Sequence, residues 1–90
     1  MKRQEYELEK QCQDYARRQG WVICKNVPDG CKGVPDTSIL SPDGRFIMVE
    51  FKRDAHAKIR PEQIFWQNTF PDKVHFISSY DDFVQLISKV

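Results

Sequence analysis

Between Arg3 and Gln19 the residues Leu8, Cys12, Tyr15 and Ala16 recur at three- and four-residue intervals on an otherwise charged background, and Gly20 follows. That period predicts an amphipathic helix with a glycine stop. The next five residues, WVICK at 21–25, read as a strand. NVPDGCKGVP at 26–35 carries two prolines and two glycines and predicts a loop. DTSIL (36–40) and RFIMVEFK (45–52) then read as two strands around SPDG. Arg60 opens a second helix with Pro61 in its first turn, where a missing N–H costs nothing. This helix runs through EQIFWQNTF and stops before Pro71. KVHFIS (73–78) is a further strand, and Ser79 is the predicted N-cap of a last helix with Phe83, Leu86, Ile87 and Val90 on one face. The predicted architecture is α/β, a small mixed sheet flanked by helices in the order αβββαβα.

Ninety residues suffice for one domain, taken here as 1–90. The chain is 40% hydrophobic and 30% charged, as a water-soluble protein is, and no stretch approaches the roughly 18 apolar residues of a membrane span. Its first eleven residues, MKRQEYELEKQ, are charged throughout and hold no apolar signal core, which predicts a cytoplasmic location. Cys12, Cys24 and Cys31 are odd in number and lack CxxC spacing, so they read as reduced thiols rather than a disulfide frame or a zinc site. His56 and His75 stand apart without a partner pattern and read as surface or packing residues. The net charge of +1 says little, but Lys25, Lys32, Arg45, Lys52, Arg53, Lys58 and Arg60 concentrate in the middle of the chain. One basic face for a polyanion and an ordinary solvated surface are both compatible with that distribution.

The turn between the two central strands fixes their register. Pro42, Asp43 and Gly44 suit successive positions of a type I turn closed by a left-handed glycine, the common three-residue hairpin loop. Ser41 then faces Arg45, and a constant index sum sets Thr37 against Val49, Ile39 against Ile47 and Asp36 against Glu50. Directly opposed side chains lie about 4.5–5.5 Å apart at Cβ, and like charges so placed repel. Glu50 and Lys52 share one side of their strand by the period of two. Two carboxylates and an ammonium on one patch make a poor structural device but a good divalent-cation site, because hard cations take carboxylate and carbonyl oxygens. A strand-end ion pair between Lys52 and one acid is the other arrangement these spacings allow.

GVPD at 33–36 followed by EFK at 50–52 resembles the PD-(D/E)xK nuclease superfamily. More narrowly, the chain resembles the virus-type replication-repair nuclease domain, VRR-Nuc. The narrower likeness rests on the N-terminal helix with its glutamates, the Gly33-x-Pro35-Asp36 turn, Glu50-x-Lys52 at a strand end, and Gln63 early in the next helix. It implies a restriction-endonuclease-like core. It also implies that Asp36, Glu50 and the main-chain carbonyl of Phe51 ligate Mg²⁺ or Mn²⁺, and that Lys52 orients or helps deprotonate the attacking water. Gln63 is implied in the wall of the site, with Glu9 as the helix acid and Glu5, one turn earlier, as its alternative. The expected products are 5′-phosphate and 3′-hydroxyl ends.

The stand-alone members that this chain resembles, many of them phage-encoded, imply a homodimer that resolves four-way (Holliday) junctions in a bacterial host's cytoplasm. No small-molecule cofactor is implied. Lys25, Lys32, Arg53, Lys58 and Arg60 flank the site in sequence and are the candidate phosphate contacts. Phe65, Trp66 and Phe70 of the second helix, or the last helix, supply either core or dimer surface. The rival readings are a non-catalytic DNA-binding module of the same fold, a flap or nicking endonuclease, a sequence-specific restriction enzyme, and an interaction protein without a nucleic-acid role.

Overall fold

The structure, a computed structural model, describes residues 3–26 and 32–89. Cys31, Val90 and positions 27–31 of the predicted loop lie outside the described residues. The elements are α1 (Arg3–Arg18), β1 (Val22–Lys25), β2 (Thr37–Leu40), β3 (Phe46–Phe51), α2 (Pro61–Thr69), β4 (Val74–Ile77) and α3 (Tyr80–Lys89). This is the predicted order. The four strands form one sheet in the order β1-β2-β3-β4, antiparallel up to β3 and parallel between β3 and β4.

The β2–β3 register follows from the turn. Thr37 pairs with Val49 and Ile39 with Ile47. Gly44 has φ +87°, its N–H donates to the Ser41 carbonyl over 3.0 Å, and the Ser41 N–H donates to the Arg45 carbonyl over 2.8 Å. Each strand is shorter than the sequence expectation by one or two residues, and at the site this leaves Asp36 and Lys52 just beyond the ladder. The Asp36 N–H, which a longer ladder would pair with backbone, instead donates to Glu50 Oε1 over 3.1 Å. The Asp36 carbonyl still accepts the Asn26 N–H at 2.8 Å, so Asp36 is anchored from the β1 side.

One face of the sheet is covered by α1 and α3. Leu8, Cys12, Ala16, Ile39, Ile47, Val49, Phe51, Ile77, Phe83 and Ile87 form its buried core with Trp21. Tyr15 sits edge-on to both Tyr80 and Phe83, which locks α1 against α3. Ser79 caps α3 as predicted, its Oγ accepting the Asp82 N–H at 3.1 Å. The opposite face is covered by α2 on the β4 side. Over β1, β2 and β3 that face carries Val22, Leu40 and Phe46, three exposed apolar residues in one cross-strand row. Phe65 of α2 and Phe70 at its C-cap are exposed as well, so they do not fill the core. Trp66 is half-buried, packs on Phe70 and donates its indole N–H to the Lys32 carbonyl over 3.2 Å. Among the described residues no helix is long and apolar enough to cross a membrane.

Candidate active site

The ends of β1, β2 and β3 and the start of α2 meet at one edge of the molecule, and the acids that the sequence singles out gather there. Asp36 enters from the turn before β2. Pro35 is buried, and its carbonyl accepts the Asn26 Nδ2 amide over 2.8 Å while Asn26 Oδ1 accepts the Ser38 hydroxyl at 2.8 Å. Asn26 thus ties the end of β1 to the acid-bearing turn. The Thr37 hydroxyl donates to Asp36 Oδ1 over 2.8 Å. Neither Asn26 nor Thr37 stands out in the sequence, where a polar residue after an aspartate is the only signal.

Burial raises the Asp36 carboxyl above its usual range. The Thr37 hydroxyl, the Lys25 ammonium and the Phe51 main-chain amide oppose that rise, and the charge of Glu9 adds to it. Glu50 is pushed up from 4.5 to about 7, first by burial and second by the charge of Asp36. Lys52, the Asp36 N–H and Arg60 pull it back. The two acids therefore sense each other, as the register requires. Lys52 donates to Gln63 Oε1 over 3.0 Å and lies 3.9 Å from Glu50 Oε2, with both charged side chains 13% exposed. Gln63 is buried, and the same oxygen accepts the Arg60 N–H at 3.0 Å, closing the first turn of α2. One glutamine thereby caps a helix and holds the lysine beside Glu50.

Of the two helix acids, Glu9 joins this group. It is buried, bonds to the Lys25 ammonium, and accepts the Gln13 amide at 3.2 Å. Its charge reaches Asp36, whereas Glu5 is only half-buried. The donor set of Asp36 and Glu50 is hard oxygen, and the two carboxylates sit where their mutual charge is costly. That chemistry suits Mg²⁺ or Mn²⁺. Among the described residues no three His, Cys, Asp or Glu side chains form a metal-holding group, so a cation here depends on main-chain oxygen and water for its other positions.

No family model and no curated protein matches the sequence. Among solved structures, the chain is similar to a VRR_NUC domain with a TM-score of 0.85 and 25% identity, over 94% of this chain and 95% of that one. The fold is that of a VRR-Nuc domain. It accounts for the mixed sheet and for the element order αβββαβα.

Within this VRR-Nuc fold the five candidate phosphate contacts are not one cluster. Lys25 is committed to Glu9 at the site. Lys32, Arg53, Lys58 and Arg60 are exposed. Arg53 lies 3.5 Å from Asp54, and Arg60 lies 3.8 Å from Glu62. Gly33 has φ +82°, and a Cβ there would lie 2.6 Å from the Glu62 carbonyl carbon and oxygen. The loop before Asp36 thus rests directly on the first turn of α2, and glycine is required for both reasons.

Proposed function

We propose that this domain is a metal-dependent endonuclease that hydrolyses phosphodiester bonds of branched DNA. The observation that carries the reading is the convergence of Asp36 and Glu50 at one sheet end, with Lys52 held beside them by Gln63. Asp36, Glu50 and the Phe51 carbonyl would hold Mg²⁺ or Mn²⁺. When bound, such an ion neutralises phosphate charge and acidifies a water.

The remaining work falls to side chains. Lys52, fixed by Gln63, presents N–H donors toward the Glu50 side of the site, where it orients the attacking water and balances developing negative charge. Glu9 keeps Lys25 at the other side of Asp36. In-line attack leaves 5′-phosphate and 3′-hydroxyl ends.

A homodimer is the assembly we favour, because two-fold pairing supplies two sites for symmetric cuts on a four-way junction. The exposed row Val22, Leu40 and Phe46, together with Phe65 and Phe70, offers apolar surface for it. The test is a cleavage panel of four-way junction, flap, splayed arm and linear duplex, run with Mg²⁺, Mn²⁺ and EDTA. Wild type is compared with Asp36→Ala and Lys52→Ala, and light scattering reads the oligomer. Junction cleavage lost in both variants and in EDTA supports the proposal. Cleavage that survives both substitutions removes it, and binding without any cleavage leaves the DNA-binding module in its place.

A further inference from the structure

A groove of about 440 Å³ runs along the outer side of α1, bounded across from the helix by Lys25 of β1. Its inner end is built from Glu9 and Lys25, the pair that also borders Asp36. From there a single stripe of α1 forms the wall: Tyr6, Lys10, Gln13 and Arg17, spaced by three or four residues. β1 is an edge strand, so among the described residues no further strand closes the groove on that side.

We propose that this groove binds an unpaired DNA strand leading into the candidate active site. Tyr6 is 57% exposed and, among the described residues, its ring stacks on no other aromatic, so a flat apolar face is free to take a base. Lys10 and Arg17 are exposed on the same stripe and supply the charges that follow a phosphate backbone. An aromatic platform next to spaced cations in a groove is the general recipe for single-strand binding. The length fits as well. Tyr6 to Arg17 spans about 16 Å along the helix axis, room for roughly five nucleotides at the 3.4 Å stacked rise. The groove's lining cations Lys10, Arg17 and Lys25 outnumber its acids Glu9 and Asp14 by one, with Glu9 bonded to Lys25 and Asp14 3.8 Å from Arg17.

This inference relies on the nuclease reading only for the class of ligand, so its test does not use cleavage. A twelve-nucleotide single strand carrying 5-iodouracil is bound to the wild-type chain in EDTA, with affinity read by anisotropy and the photocrosslink mapped by mass spectrometry. The crosslink is expected on Tyr6. Tyr6→Ala weakens binding about tenfold, within the range of one base–aromatic stack. Tyr6→Phe retains affinity because the ring and not the hydroxyl makes the contact. Lys10→Ala lowers the salt slope by about 0.7, one phosphate's share on a single strand. Absence of binding, a crosslink outside the groove, or unchanged affinity in Tyr6→Ala overturns the proposal. A change in oligomeric state with unchanged affinity also overturns it and assigns the groove to a second copy. Each result is independent of whether the domain cleaves.

Discussion

Replacing Glu50 with Gln should make the metal-free domain more stable at alkaline pH while removing its activity. In the fold the Glu50 carboxyl is raised from 4.5 to about 7 by burial and by Asp36. Below pH 4.5 the group is protonated in both folded and unfolded chains and contributes no difference. Between 4.5 and about 7 the unfolded chain releases its proton while the folded chain retains it, so stability falls as pH rises. Above about 7 the penalty is complete. Two and a half pH units at about 1.4 kcal/mol each correspond to ~3 kcal/mol. Water at the sheet end screens part of this, which leaves about 2 kcal/mol. The amide of Gln retains an oxygen to accept the Asp36 N–H that Glu50 now takes at 3.1 Å. Urea unfolding in EDTA at pH 5 and pH 8 measures the effect. Glu50→Gln is expected to match wild type at pH 5 and exceed it by about 2 kcal/mol at pH 8. Adding Mn²⁺ at 100 times its Kd at pH 8 should restore about 2.7 kcal/mol to wild type alone. Equal pH slopes for the two proteins, or a variant no more stable at pH 8, would refute the idea that Glu50 is a strained acid awaiting a cation.

Three further outcomes follow from the packing. Gln63→Ala removes both the acceptor of Lys52 and the cap on the Arg60 N–H; it should cost about 1 kcal/mol in thermal unfolding and about tenfold or more in kcat, and an unaltered kcat would show that Lys52 needs no such clamp. Phe83→Ala empties a fully buried site between α1 and the sheet and should cost about 3–5 kcal/mol, read by denaturant midpoint. Burial pushes the Cys12 thiol up to about 12, whereas Cys24 is exposed; a thiol-specific reagent at pH 8 should label Cys24 within minutes and spare Cys12 until the chain unfolds.

Much of this fold is written in local chemistry. The SPDG turn fixes one pairing, and because the side-chain period is two, every later residue of β2 and β3 inherits its partner and its face from that turn. Helix limits followed from Gly20, Pro61 and Ser79 for the same reason: each is a local backbone or capping effect. What escaped is what depends on three dimensions. The escape of Lys52 from the strand, with its turn toward Gln63, depends on where α2 lies. The Glu9–Lys25 pair joins residues sixteen apart through the packing of α1 on the sheet edge. Phe83 stood on a predicted apolar helix face and is buried, but that Phe65 and Phe70 meet solvent reflects which helix covers which face.

The contact of Gly33 with Glu62 gives the two halves of the site a common mount. Any tilt of α2 is passed straight to the strap bearing Asp36, so the acid on one side and the clamped lysine on the other drift together or stay together. A bulkier residue at position 33 should therefore act as a wedge that disarms both at once, and because it would press on the Glu62 main-chain carbonyl, neither a shorter side chain on the helix nor restoring either charge should rescue it.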